Sequence, residues 1–277
     1  MSDFYHSDGA RLGFSDSGSG LPVVFLHPTP LDRDYWRLLN QHLSNVRALL
    51  PDLRGHGISE LGPDLPQGIF SRLPEARVLT MTRLATDVLS LLDHLRLSAA
   101  VFAGCSVGGY VLMEIWRMAP ERVRGLAFIC SKPQPDTEAN VAKRIENIAR
   151  TRNEGVTHLF DEMAVILTGE AARNDHPTIV TELRSHMTLP ANAYVAVQTG
   201  LALRPDSVPT VASIHVPVLA IAGGADAAVS PGDMEAFQRA PGGCTFHTLP
   251  VAGHFAAYEQ PRTVAALMTP WLRQFPA

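Results

Sequence analysis

The chain has little charge, little cysteine and no long apolar run. Charged residues fill only 18% of its 277 positions, against 46% hydrophobic ones. That ratio excludes a disordered chain and supplies a large core, with one or two domains expected from the length. Neither sign of charge dominates: 23 Lys and Arg face 27 Asp and Glu, a formal net charge of −4. A mildly acidic balance gives no electrostatic footprint for nucleic acid or an anionic membrane. The three cysteines, Cys105, Cys130 and Cys244, are odd in number and widely spaced. Neither a disulfide framework nor a zinc site follows from them. The uncharged run Ser98–Met113 is shorter than the ~18 apolar residues of a membrane span, and Ser, Cys and a Gly pair interrupt it. Residues 1–6 have neither a basic nor an apolar signal region, so no signal peptide is expected, and a reducing cytoplasm is the expected compartment. No repeat of 20–50 residues is present.

What is present is an alternation. The apolar runs Val23–His27, Val46–Leu50, Ala100–Gly104, Leu126–Cys130, Val218–Ala222 and Thr245–Leu249 read as strands buried on both faces. Helical patterns lie between and after them: Thr80–Leu95, Val107–Met118, Pro231–Arg239 behind a Ser230 cap, and Thr263–Phe275. Strand and helix in turn predict an α/β fold with a mostly parallel central sheet flanked by helices. Residues 133–212 break the pattern, with helical segments and no buried strand between Lys132-Pro-Gln-Pro135 and Val208-Pro-Thr210. They are expected to form a helical cap on a core made of residues 1–132 and 213–277; an ordinary second domain is the alternative. The Pro- and Gly-rich loop Leu61–Leu79 is longer than most connections and is read as functional or mobile.

At the end of the run Ala100–Gly104 stands Gly104-Cys-Ser-Val-Gly108, followed by a helix. G-x-S-x-G between a strand and a helix places the serine on a tight turn with its hydroxyl exposed, where neighbouring Cβ atoms would collide. A serine hydroxyl needs a base, and His254 follows the last strand in Val251-Ala-Gly-His-Phe255. The imidazole needs a carboxylate, and Asp226 follows the strand Val218–Ala222; Asp233 and Asp136 are weaker candidates. Developing negative charge on a substrate oxygen needs donors. The Val107 N–H is one, and the loop His27-Pro-Thr-Pro-Leu31 offers only Thr29 and Leu31 as N–H donors beyond His27, because proline has none. His27 is read chiefly as a fixer of that loop, though near enough to be counted with the pocket.

These pieces together resemble an α/β-hydrolase. The resemblance rests on Phe25-Leu-His-Pro-Thr-Pro-Leu-Asp-Arg-Asp-Tyr-Trp36, Pro51-Asp-Leu-Arg-Gly-His-Gly-Ile-Ser59, the Ser106 turn, Gly224-Ala-Asp226 and Gly253-His254 with Glu259-Gln-Pro261. The oxyanion loop and Arg204-Pro-Asp-Ser207 are similar to the 3-oxoadipate enol-lactonase and small carboxylesterase branch. The resemblance implies a helical cap inserted after the sixth strand. It also implies a Ser106 nucleophile, a His254 base, an Asp226 orienting acid, and Thr29 and Val107 amides as the oxyanion hole. His27-Pro28 stands where the family often has His-Gly, and Cys105 where many relatives have His; Cys105 is read as a buried packing residue.

The expected activity is hydrolysis of a small carboxylic ester or lactone through an acyl-enzyme. The same triad also serves C–C bond hydrolysis, perhydrolysis and amide cleavage, and a non-catalytic small-ligand binder is the reading from another class. An apolar substrate pocket is expected from cap residues Phe160, Met163, Ile166, Leu167, Met187 and Tyr194. A dicarboxylate lactone would need a cation; Arg33 and Arg204 are the candidates, read more readily as surface arginines. No metal or cofactor is expected, because no His/Cys/Asp cluster has ligand spacing. Monomer and homodimer both remain open.

Overall fold

A computed structural model describes residues 3–62 and 77–276. Residues 63–76, most of the Leu61–Leu79 loop, lie outside the described residues. The strands are β1 (Asp3–Ser7), β2 (Ala10–Gly18), β3 (Leu21–Leu26), β4 (Val46–Pro51), β5 (Ala100–Cys105), β6 (Val123–Ile129), β7 (Val218–Gly223) and β8 (Cys244–Leu249). They form one sheet in the order β1-β2-β4-β3-β5-β6-β7-β8. β1 and β2 pair antiparallel, β2 runs antiparallel to β4, and every later pairing is parallel.

Successive side chains of the central strands enter opposite cores. Val23, Phe25, Val101, Ala103, Leu219 and Ile221 face one apolar layer. Val24, Leu26, Phe102, Phe128, Ala220 and Ala222 face the other. Both faces are covered, so these strands need apolar residues throughout, each fully buried side chain contributing roughly 1.5–3 kcal/mol. β8 departs from the expected pattern: it is the edge strand and much of it is solvent-facing, with only Leu249 buried.

The helices follow the crossovers. α1 (Arg37–Asn40) joins β3 to β4, α2 (Met81–His94) joins β4 to β5, and α3 (Val107–Met118) joins β5 to β6. Thr80 caps α2 by accepting from the Arg83 N–H, and Leu84, Val88, Leu91 and Leu92 form its buried stripe. Between β6 and β7 the chain makes only helices: α4 (Glu138–Glu154), α5 (Thr157–Ile166), α6 (Glu170–Asp175), α7 (Ile179–Ser185), α8 (Ala191–Ala202) and α9 (Val208–Val211). α10 (Pro231–Met234) precedes β8, and α11 (Ala256–Glu259) and α12 (Pro261–Leu272) follow it. Among the described residues, no helix is long and apolar enough to cross a membrane.

Two expectations need correction. The last helix spans Pro261–Leu272, not Thr263–Phe275, and holds Pro270 within it. The hairpin β1–β2 escaped the strand reading although its turn, Asp8-Gly9, has the sequence signal: both residues take positive φ, 42° and 73°, as a two-residue hairpin requires.

Candidate active site

Four loops meet at the carboxyl ends of β3, β5, β7 and β8, the edge where an open α/β sheet binds ligands. Ser106, between β5 and α3, holds φ 51° and ψ −115°. A non-glycine residue there costs about 1–3 kcal/mol, and the surroundings enforce it. The Ser106 N–H donates to the Ile129 carbonyl at 3.1 Å, and the Ser131 hydroxyl donates to the Ser106 carbonyl at 2.9 Å. The glycines on either side are steric necessities: a Cβ on Gly104 would lie 2.5 Å from the Gly108 carbonyl carbon, and one on Gly108 would lie 2.2 Å from the Leu26 oxygen. Ser106 is half-buried while its neighbours in the turn are buried.

His254 Nδ1 donates to both oxygens of Asp226, at 2.8 and 3.0 Å. The Asp226 side chain is fully buried, and its Oδ1 also accepts from the Ala228 and Val229 N–H groups at 2.7 and 3.1 Å. Burial alone would raise the Asp226 pKa, but the His254 charge and these hydrogen bonds hold it below the usual carboxylate value. For His254 burial works against the charged ring, yet the Asp226 charge and hydrogen bond, with the Glu259 charge, raise its pKa above 6.5. With Nδ1–H engaged, the lone pair is on Nε2.

The loop after β3 is held by two histidines. His27 is fully buried and does not line the cavity; its Nε2 accepts from the Leu53 N–H at 2.9 Å, so its Nδ1–H donates to the Pro28 carbonyl at 3.0 Å. Burial lowers its pKa and keeps it neutral. Its place with the pocket is therefore corrected: it lies beneath the loop. His56 Nδ1 donates to the Arg54 carbonyl at 3.1 Å, leaving Nε2 to accept from the Thr29 hydroxyl at 3.0 Å. Burial, with the nearby His27, pushes His56 down to about 3. The Leu31 N–H is used within the turn, donating to Pro28 O at 3.1 Å. Of the two donors in that loop, Thr29 is the one that borders the cavity. Val107 opens α3, so its N–H has no intrahelical acceptor.

Glu259 ties the histidine loop down. Its buried carboxylate accepts from the N–H groups of Gly253 at 2.8 Å, Phe255 at 3.1 Å and Gly169 at 3.1 Å. The His254 N–H donates to Leu167 O at 2.8 Å, so the loop is docked on the segment between α5 and α6. Cys105 and Cys130 lie beneath with their thiols on the carbonyls of His254 and Gly253, at 3.7 and 3.6 Å. Burial pushes both thiol pKa values well up, which leaves them as packing groups.

Ser106, His254 and Thr29 open onto one cavity of about 390 Å³. Met163, Ile166, Leu167 and Tyr194 line it. Phe160 and Met187 do not: both are buried in the core beneath, with the Phe160 ring edge-on to Tyr194 at 5.3 Å. Those apolar side chains that reach the cavity form only part of its lining. Asn140, Lys143, Arg144, Asn147 and Arg150 of α4 form one wall, with Lys132, Asp136, Glu162 and Gln198 beside them. Neither arginine singled out from the sequence is a surface group. Arg33 is bound to Asp52 at 2.6 Å, and Arg204 is buried beside Asp136 at 2.7 Å. The fold also brings Asp32, Asp34 and His186 together, where His186 and Asp32 pair at 3.6 Å and raise the His186 pKa.

The chain belongs to the alpha/beta hydrolase family, whose profile matches residues 23–267. It is an enzyme of that family with esterase and lactonase relatives. A thermophilic esterase from Thermogutta terrifontis, solved with malate bound, is 31% identical; the superposition covers 99% of this chain and 98% of that one, with a TM-score of 0.88. A 3-oxoadipate enol-lactonase 2 from Acinetobacter baylyi (strain ATCC 33305 / BD413 / ADP1) is 28% identical over 76% of this chain and 73% of its own. A Bacillus subtilis (strain 168) protein, provisionally named 2-succinyl-6-hydroxy-2,4-cyclohexadiene-1-carboxylate synthase, is 25% identical over 96% of both.

Proposed function

We propose that this enzyme hydrolyses a small carboxylic ester or lactone through an acyl-enzyme on Ser106. One observation carries the reading: the strained Ser106 opens onto the same cavity as His254, whose Nδ1 proton is engaged by the buried Asp226. In the first half-reaction His254 Nε2 takes the Ser106 proton as Oγ adds to the substrate carbonyl carbon. The carbonyl oxygen becomes an oxyanion that accepts from the Thr29 and Val107 N–H groups, each such donor worth about 3 kcal/mol in the transition state. The bond to the alkoxy oxygen then breaks, and His254 returns the proton to the leaving alcohol. In a lactone that alcohol stays tethered to the acyl group. Water repeats the sequence: it gives a proton to His254 and adds to the acyl carbon, and Ser106 leaves with that proton as the acid is released. The esterase and enol-lactonase relatives support this choice of bond. Residues 133–212 serve as the cap that encloses the substrate over the sheet edge.

The reading is tested by intact-mass spectrometry after a fluorophosphonate probe, beside turnover of p-nitrophenyl butyrate. One adduct per chain, mapped to Ser106, and turnover that labelling abolishes are expected. Folded protein that neither labels nor turns over the ester overturns the proposal.

The pH dependence has a defined sign. Only neutral His254 can accept the Ser106 proton, and its pKa is raised. kcat/KM therefore rises with pH through an apparent pKa above 6.5 and is flat beyond it. A stopped assay of p-nitrophenyl butyrate from pH 5 to 9 reads this; an acid limb below the ordinary imidazole value contradicts the raised His254 pKa, and a rate with no acid limb in the histidine range removes His254 from the role of base.

A further inference from the structure

The backbone that carries His254 is fastened to the helical stretch between β6 and β7, and not to the sheet alone. The His254 N–H donates to Leu167 O at 2.8 Å. The Glu259 carboxylate, 7% exposed, holds both segments at once. Its Oε2 accepts from Gly253 at 2.8 Å and from Gly169 at 3.1 Å, while Oε1 accepts from Phe255 at 3.1 Å.

Gly169 and Gly253 also meet backbone to backbone. A Cβ on Gly169 would lie 2.7 Å from the Gly253 nitrogen and from the Val251 oxygen, and one on Gly253 would lie 2.4 Å from the Gly169 nitrogen. Gly169 holds φ −59° and ψ 143°, which any residue adopts, so close approach alone requires a glycine there.

The same segment borders the cavity. Met163, Ile166 and Leu167 line the space onto which Ser106 opens. The turn that joins them to Gly169 is tightly bonded. The Leu167 N–H donates to Met163 O at 3.0 Å, and the buried Thr168 hydroxyl donates to Ala164 O at 2.7 Å. The wall that would meet substrate and the loop that aims the imidazole are thus one hydrogen-bonded unit. Asp226 holds Nδ1, so that bond and the position of the loop together set where Nε2 points. A reacting group misplaced by about 1 Å costs about a hundredfold in rate.

We infer that Gly169 and Glu259 are positioning residues for His254, and that the 167–169 turn couples contact on the cavity wall to the aim of the imidazole. Substrate packed on Met163 and Leu167 braces the histidine loop, and a displaced turn loses that alignment while substrate still binds. The reaction that His254 serves rests on the hydrolase reading; the docking of its loop does not.

The test takes two variants. Gly169→Ala adds a methyl group that must push the Gly253 backbone away. Glu259→Gln keeps the volume but sets an NH₂ against an N–H donor, whichever way the amide turns. kcat for p-nitrophenyl butyrate is counted per site titrated with a fluorophosphonate, so loss of folded protein does not enter. Each variant should lower that kcat by about ten- to a hundredfold and leave KM within about threefold. Glu170→Ala, at the exposed neighbouring position, should change neither. Two further readings follow the loop itself. The amides of Gly253, His254 and Phe255 should exchange about tenfold faster in both variants, and the low-field proton resonance of His254 Nδ1–H should shift or broaden. kcat per site within about twofold of wild type in both variants overturns the proposal. A rise in KM alone does so too, because it assigns Gly169 to the shape of the cavity. If Gly169→Ala does not fold, Glu259→Gln decides by the same readings. Faster amide exchange in the variants, with a wild type that neither labels nor turns over ester, sinks the hydrolase reading and keeps the docking. Unchanged exchange with an unmoved resonance sinks the docking.

Discussion

Ser106→Ala should lower kcat for p-nitrophenyl butyrate by a factor on the order of 10⁴–10⁶ and leave KM within a few-fold. Losing a serine nucleophile alone costs about 10⁶ in a serine protease, with roughly 10³–10⁴ over water retained from the oxyanion hole and binding. The same logic applies where Thr29 and Val107 amides remain in place. The variant should also be slightly more stable to heat, because alanine no longer brings a polar hydroxyl to a half-buried turn held at φ 51°; the backbone strain itself stays. Stopped-flow turnover and a melting curve on the same preparation decide it. Activity above about one per cent of wild type in a folded variant, once contaminating esterase is excluded, would remove Ser106 from the chemistry.

Asp226→Asn carries the second largest expected effect, a fall of about 10⁴ in kcat. The volume is kept, and the remaining amide oxygen can still accept from Ala228 and Val229. What changes is the face toward His254. If the asparagine oxygen stays on the backbone donors, its NH₂ points at Nδ1 and demands a lone pair there, so the ring proton moves to Nε2. A ring protonated on Nε2 cannot take a proton from Ser106. The charge that raises the His254 pKa is lost as well, so the residual acid limb should move to lower pH. A variant with kcat within tenfold of wild type, and an unmoved limb, assigns Asp226 to the turn alone.

Much of the site was legible because local chemistry is written in short segments. Gly104-Cys-Ser-Val-Gly108 states its own geometry: only glycine fits where a Cβ would meet the Gly108 carbonyl carbon at 2.5 Å or the Leu26 oxygen at 2.2 Å. The parallel strands were equally plain, since burial on both faces requires uninterrupted apolar runs. The edge strand β8 read as more buried than it is, because composition does not say which strand has a neighbour on one side only. Asp8-Gly9 carried a hairpin signal, but β1 and β2 mix polar and apolar residues and lack the apolar density of the central strands.

Other functional positions were written in the sequence without their meaning. His56 and Glu259 both stand in segments that carry the family resemblance. That His56 holds the Thr29 hydroxyl depends on a contact across 27 positions of chain, and that Glu259 ties the His254 loop to Gly169 depends on one across 90. Phe160 and Met187 were assigned to the pocket by residue type, yet an apolar cap residue can face the core or the cavity, and helical periodicity does not distinguish two apolar destinations. The face of α4 went unread for the converse reason. Lys143, Arg144 and Arg150 at helical spacing have the pattern of a solvated surface, and only the placement of α4 against α5 and α8 turns that surface toward Ser106.

By itself, then, the sequence determined the layered α/β architecture and the alternation of the central strands with their helices, and it singled out Ser106, Asp226 and His254 as candidates. Each depends on periodicity or on backbone geometry over a few residues. The tertiary structure alone decided that His27 lies beneath the site and that Arg204 shares Asp136 with Arg144. It also decided that the cavity has one cationic wall and one apolar wall. Those are properties of side chains brought together from distant segments, where the balance of charge and burial is set by packing and not by neighbours in the chain.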